Sequence, residues 1–238
     1  KKIKNHDLLF GTALRYQLYN DNTPATNTAD ETWIPSVFVQ DEISFAQKHS
    51  ILLGARYDYN SNHGSIFTLR FAYKYKLTDN DIFRLNAGTG FRIVNLFTEE
   101  HAALTGSRDV IVVGDLKPER SYNVNLNYLK KFYFGDGNFI GLETSAWYTY
   151  FTNSIIPDYD TNPNQIIYKN LDGHAITKGI STNIDMVFNN GLKVILGATY
   201  MDVNKTENGV TTRQMLTERF SGTWAISYKI PKLYLDID

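Results

Sequence analysis

The sequence predicts an all-β fold, an antiparallel up-and-down meander that forms part of a large transmembrane β-barrel, and three observations point there. Apolar residues recur with period two, the mark of strands whose faces meet different environments. One face of these segments is nearly free of charge, while the other carries the basic residues. Tight and long connections alternate along the chain, which in a meander gathers all tight turns at one end and all long loops at the other.

Taken in order, Phe10, Thr12, Leu14, Tyr16 and Leu18 oppose Gly11, Ala13, Arg15 and Gln17. The segment 34–45 is less regular, because Asp41 shares a face with Val39 and Ile43, and a bulge is expected there. Ile51, Leu53, Ala55, Tyr57 and Tyr59 oppose Gly54, Arg56 and Asp58. The clearest alternation is 66–78, where Phe67, Leu69, Phe71, Tyr73, Tyr75 and Leu77 face away from Thr68, Arg70, Ala72, Lys74, Lys76 and Thr78. Phe83, Leu85, Ala87, Thr89, Phe91 and Ile93 then oppose Arg84, Asn86, Gly88, Gly90 and Arg92. Tyr122, Val124, Leu126 and Tyr128 alternate with four polar residues, and Ile140, Leu142, Ala146, Tyr148 and Tyr150 oppose Gly141, Glu143, Ser145 and Thr149. The pattern closes with Leu192 to Tyr200 and with Phe220, Trp224, Ile226, Tyr228 and Ile230. The reading yields about ten full strands and the start of another, most of them longer than the ~5–6 residues typical of a sandwich.

The tight connections are 46–49, 78–80, 135–138, 189–191 and 231–232, each carrying turn residues. Those expected to be long and polar are 20–31, 94–118, 154–177 and 204–214, with 60–65 a brief exception. Tyrosine and phenylalanine gather near strand ends, as in the aromatic girdles of membrane barrels. An arginine on the lipid side would cost about 2–4 kcal/mol at the midplane, so Arg56, Arg70, Arg84, Arg92 and Glu143 are assigned to the lumen.

Composition narrows the function classes. With 24 basic and 25 acidic side chains among 238 residues, the net charge is −1, which leaves no simple nucleic-acid footprint. Cysteine is absent, excluding disulfides, thiolate metal sites and a cysteine nucleophile. No run of about 18 apolar residues supplies a membrane helix, but strands of about 9–11 residues can span a bilayer. No nucleophile elbow, P-loop or Rossmann glycine pattern occurs, and Asp185 and Glu143 have no identifiable acid partner. An enzyme is therefore not expected, nor any cofactor. The polar start, without an apolar run, and the strand pattern running to Asp238 lead to the expectation that residues 1–238 are a piece of a larger barrel.

Arg84-Leu85-Asn86-Ala87-Gly88-Thr89-Gly90-Phe91-Arg92, then a loop, then Asp115-Leu116-Lys117-Pro118-Glu119-Arg120-Ser121, resembles the barrel of TonB-dependent outer-membrane receptors. Gly54-Ala55-Arg56-Tyr57-Asp58 fits the same family. The Tyr/Asn-rich stretches Phe151-Thr152-Asn153 and Ile166-Ile167-Tyr168-Lys169-Asn170 are similar to receptors of Bacteroidetes-type bacteria. The motif residues proper are Gly90, Phe91 and Arg92 with Leu116, Lys117, Pro118 and Glu119. Two departures stand out: Ile93-Val94-Asn95 follows where Ala-Pro is frequent, and Leu69 stands where a proline is frequent.

The resemblance implies a 22-stranded barrel filled by a plug, of which this chain holds only barrel. It implies residence in the Gram-negative outer membrane. Its expected partners are outer-membrane lipid, the plug domain of the same parent chain, the TonB complex, and a small-molecule or glycan substrate. Energised uptake of a metal chelate, a corrinoid or a glycan would be the function, and the residues do not choose among these. Gly88 and Gly90 are expected to let the plug or a neighbouring backbone approach closely, with a bend or bulge explaining them equally well. The lumenal arginines and Glu143 are expected either to meet the plug or to pair among themselves. Trp33, His101, Tyr159 and Tyr168 are the candidate ligand contacts in the long loops, because aromatic faces supply binding area at low entropic cost.

Metal chemistry has little support. Glu99-Glu100-His101 is followed by Ala102-Ala103-Leu104, which reads as a short amphipathic helix. Asp158, Asp160, Asn162 and Asn164 lack the glycine and closing glutamate of a calcium loop. Three rivals stay open: a passive porin-like channel, an outer-membrane enzyme or adhesin, and a soluble β-sandwich.

Overall fold

A computed structural model describes residues 2–19, 30–93, 108–114, 116–135, 137–159, 161–214, 217–230 and 235–237. Ten long strands make the wall: β2 (His6–Tyr19), β3 (Asp30–Ala46), β4 (His49–Asn60), β5 (Gly64–Thr78), β6 (Asp81–Arg92), β8 (Glu119–Phe134), β9 (Asn138–Phe151), β12 (Gly173–Val187), β13 (Leu192–Glu207) and β15 (Phe220–Ile230). Short pieces flank them: β1 (Lys2–Ile3), β14 (Val210–Arg213) and β16 (Leu235–Ile237). Together these thirteen form a single sheet, every pair antiparallel, in the order β1-β2-β3-β4-β5-β6-β8-β9-β12-β13-β15-β16, with β14 beside β13. A second, three-stranded sheet joins β7 (Asp109–Val112), β10 (Ile155–Asp158) and β11 (Gln165–Asn170) in the long connections.

The register places the expected faces back to back. Phe10, Val39, Ala55 and Leu69 are cross-strand partners on one face, and Phe71, Ala87, Val124 and Tyr148 continue it. Among the described residues no second layer covers that face: Phe10 is 77% and Trp224 76% exposed, and Leu126 and Leu196 stand open beside them. A water-soluble sandwich would bury such a surface at about 25 cal/mol per Å², and no layer of the described residues does so here. No helix among the described residues is long and apolar enough to cross a membrane.

Aromatic rings mark both rims. At the tight-turn end Phe45, His49, Tyr75, Phe83 and Tyr128 stack in succession across the strands, with centroids 5.5, 4.7, 6.4 and 4.5 Å apart. At the long-loop end Tyr16 lies against Trp33 at 4.6 Å. Such rings favour headgroup depth, where one edge is apolar and the other wet.

The bulge expected within 34–45 lies at the end of that segment: the β3–β4 register shifts between Ser44 and Ala46, while β2 and β3 pair without interruption from His6↔Ile43 to Tyr19↔Asp30. Asp41 stays on the apolar face because His6 Nδ1 lies 2.7 Å from its carboxylate, close to the tight-turn rim. Another expectation needs correction: the connections expected as loops at 154–177 and 204–214 carry strands. β13 runs on to Glu207 and turns back into β14 through Asn208-Gly209, both with positive φ (52° and 77°). That Asn-Gly pair is a strong hairpin signal in its own right.

Candidate functional site

The inner face carries two polar networks. Arg56 donates through Nε and Nη2 to Asp58 at 2.7–3.0 Å and through Nη2 to Ser36 at 2.9 Å, and Ser36 Oγ donates to Asp58 at 2.6 Å. Asp58 is only 1% exposed, so its charge is sustained by this cage. Further round, Arg84 donates to Asn127 at 3.1 Å, and Asn127 Nδ2 reaches Glu143 at 2.8 Å and Ser145 at 2.9 Å. Arg56, Arg84 and Glu143 therefore pair along the inner wall. Arg70 between them is exposed and has no ion-pair partner among the described residues.

The two halves of the sequence motif meet at the long-loop end. Arg92↔Glu119 is a cross-strand pair of β6 and β8, and Arg92 Nε donates to Glu119 Oε2 at 2.6 Å. The other oxygen of Glu119, which is 7% exposed, accepts the Ile155 N–H at 2.9 Å and so fixes the start of β10. Asn153 Nδ2 donates to the Pro118 carbonyl at 2.9 Å. Asn170 closes a two-way bond with the Lys117 backbone, accepting its N–H at 2.8 Å and donating to its carbonyl at 3.0 Å. A Cβ on Gly90 would stand 3.0 Å from Ser121 Oγ, and one on Gly88 2.8 Å from the Leu69 carbonyl. Asp115 lies outside the described residues.

This anchorage carries the mouth sheet. β11 pairs antiparallel with β10 and parallel with β7, and Ile166 and Tyr168 form its small core with Val110, Leu116, Ile155 and Tyr159. Lys169 Nζ, 2.8 Å from Glu207, ties it to β13. That hydrogen bond raises the Lys169 ammonium above the ordinary lysine range, against the opposing effect of partial burial. Between β10 and the β13–β14 hairpin opens a cleft of about 910 Å³, lined by Arg108, Tyr159, Lys205, Glu207 and Arg213 among others. It shares Ile156, Pro157, Lys205 and Gln214 with a second cavity of about 430 Å³ that runs down to Arg92 and Glu119. With Glu207 engaged by Lys169, positive charge is in excess among the described residues that line the cleft.

Of the loop candidates, Tyr159 lies on this cleft. Trp33 does not: it sits on the lipid-side face of β3 against Tyr16, which makes it a member of the aromatic belt. Tyr168 is 4% exposed and builds the core of the mouth sheet, so its ring packs inward instead of meeting solute. His101 and the Glu99-Glu100 pair lie outside the described residues. Asp158 accepts from Thr161 N and Oγ1, and Asn162 accepts from Asn164 N, so both act as turn caps. Sequence reasoning missed Arg108, Lys205 and Arg213: the last two share the β13–β14 hairpin, and Arg108 joins them from a segment about a hundred residues away.

The architecture is a barrel wall with a structured mouth at its long-loop end. Residues 2–234 match the family described as TonB dependent receptor-like, beta-barrel, and the chain belongs to that family, which resides in the Gram-negative outer membrane. A relative is the iron-regulated outer membrane virulence protein of Vibrio cholerae, 26% identical over 160 residues covering 64% of this chain and 24% of that protein. The chain thus matches about a quarter of that relative's length. Among solved structures, the FrpB iron transporter of Neisseria meningitidis superposes with a TM-score of 0.71 at 13% identity over 99% of this chain and 39% of its own. The ferric enterobactin receptor PfeA of Pseudomonas aeruginosa gives 0.68 at 17% identity over 95% and 37%. At these identities the superpositions establish the fold alone.

Proposed function

We propose that this chain is barrel, over residues 1–238, of an energised importer whose extracellular mouth captures an iron chelate. The plug of the parent chain would fill the lumen, and TonB would draw on that plug to release the solute. The observation that carries the reading is the basic cleft between β10 and the β13–β14 hairpin, where, among the described residues that line it, Arg108, Lys205 and Arg213 stand against Glu207, itself held by Lys169. A chelate bearing carboxylates or catecholates presents negative charge, and at a partly desolvated mouth three cations favour it both in encounter and in residence. The relatives' names supply the iron; the charge of the cleft supplies the reason an anionic complex would stop there.

The test is binding and uptake of ferric enterobactin by cells that make the full-length receptor under iron limitation. Reversing Lys205 and Arg213 to glutamate is expected to weaken binding about tenfold, from ~0.7 kcal/mol for each solvent-screened charge contact. Folding and membrane insertion, checked by heat-modifiable gel migration, should be unchanged, because both residues lie in the β13–β14 hairpin past the last β13–β15 pair, Tyr200↔Phe220. Unaltered uptake by the double variant, or uptake of a corrinoid or glycan in place of the iron complex, would defeat the reading.

A further inference from the structure

A barrel wall is sealed because each strand is laddered to both neighbours through the depth of the membrane, and among the described long strands the seam between β5 and β6 is left partly unladdered. β4 and β5 pair to the ends of both strands at Asn60↔Gly64, and β6 pairs with β8 as far as Arg92↔Glu119. Between them, β5 and β6 pair only from Thr78↔Asp81 up to Arg70↔Gly88. Just above, the Leu69 N–H leaves the ladder and donates to Thr89 Oγ1 at 2.9 Å. The Leu69 carbonyl lies over the bare Cα of Gly88, where a Cβ would stand 2.8 Å away. From there 64–69 and 89–92 run on without register to each other.

Both faces are hollowed at this seam. The outer groove, about 700 Å³, is walled by Val39, Leu53, Leu69, Phe71 and Val124, with Ala55 and Ala87 as its floor. The inner hollow, about 550 Å³, holds Arg70, Gln40, Asn86 and Asn123. Gly54, Ala55, Ala87 and Gly88 line both, so the wall between them is a single backbone thick. Tyr122, the cross-strand partner of Thr89, stands exposed at the upper edge of the outer groove, and Asp41, held by His6, lies at its other edge.

We propose that the outer groove seats one acyl chain of an outer-leaflet lipid, with the polar end of that lipid lying against the open part of the seam. The orientation follows from what the wall offers at each depth. Below Gly88 the seam is laddered and, apart from Asp41 at the far edge, which His6 engages, the groove is apolar, so its floor gives dispersion and hydrophobic contact, which suits a hydrocarbon chain. Above Gly88 the strand edges, the Thr89 side chain and the Tyr122 hydroxyl offer hydrogen-bonding groups at the level of the upper aromatic belt. A lipid with its head toward the long loops and its tail toward the tight turns belongs to the outer leaflet; one from the inner leaflet would be inverted. The groove is continuous with the lipid-facing surface, so the occupant enters sideways from the bilayer. The assignment is independent of the solute: a passive channel with this wall would hold the same lipid.

Native mass spectrometry of the full-length receptor, extracted from outer membranes in mild detergent, tests it. The expected result is one lipid A-type glycolipid retained per polypeptide after detergent exchange. Filling the floor with Ala55→Phe or Ala87→Phe should lower the retained fraction about tenfold. Ala146→Phe, on the same face of β9 but away from the groove, should not change it. Heat-modifiable gel migration verifies folding, and Ala87→Val serves where the larger side chain blocks insertion. A wild type without stoichiometric lipid, equal retention by the floor variants, equal loss in Ala146→Phe, or retention of inner-leaflet phospholipid alone would each overturn the proposal.

Discussion

Wall and mouth are assembled differently. Each long wall strand pairs with its sequence neighbour, or steps over the mouth strands from β6 to β8 and from β9 to β12. In the mouth, β7 and β11 meet in parallel although Asp109 and Gln165 are far apart in the chain. A hairpin register follows from its turn and its alternation, so neighbouring residues determine it. A parallel pair has no such local determinant and forms only once other contacts have brought the segments together. Here those contacts are side-chain bonds to the Leu116–Glu119 motif. The wall also faces lipid on its apolar side, whereas the mouth has a small core of its own around Ile166 and Tyr168.

A charge on the wall should separate the two regions most sharply. Leu126→Arg puts a cation on the lipid face at a cost of about 2–4 kcal/mol near the midplane, and the receptor is expected to fail to accumulate in the outer-membrane fraction. Arg70→Leu, one face away, should accumulate and migrate normally; equal behaviour of the two would undo the face assignment. The next effect should be confined to the mouth. Glu119→Ala strips Arg92 of its acid and the Ile155 N–H of its acceptor, a loss of about 1–3 kcal/mol. Limited proteolysis should then cut within 155–170 while the heat-modifiable wall persists, and a loss of wall folding would show the two regions to be one cooperative unit.

Asn170→Ala removes both bonds to the Lys117 backbone, a loss of about 1–2 kcal/mol, and should raise amide exchange in β11 more than in β13. The smallest effect is that of pH on the Lys169–Glu207 tie. Because the folded ammonium titrates above the ordinary lysine value, its contribution is complete below that value and fades only as pH rises through the raised one. The protection factor in 165–170, with the base-catalysed intrinsic rate divided out, should be flat from neutral pH upward until strongly alkaline conditions. A change between pH 6 and 8 would place the control in another group.

Period two made the wall legible, since Phe67 to Leu77 and Tyr122 to Tyr128 alternate so strictly that face, register and membrane side follow together. β12 was harder to read, because Lys178 and Thr182 dilute its apolar face and its first residues fall in a stretch rich in turn formers. The β13–β14 hairpin was legible in Asn208-Gly209 and was overshadowed by the polarity of its flanks. Trp33 and Tyr168 show the limit of composition. An aromatic in a long-loop region is equally suited to a belt, a core or a ligand, and only the direction of its side chain decides. The motif gained its meaning from the fold as well: Arg92 and Glu119 read as separate halves until β6 and β8 were laddered to each other.

By itself the sequence determined which residues face lipid and where the chain turns, because burial in hydrocarbon acts on each strand locally and repeats every second residue. The tertiary structure alone decided which distant segments share the mouth, which cations line its cleft, and where the ladder between β5 and β6 gives way. These depend on distances between residues remote in the chain, and no local periodicity encodes them.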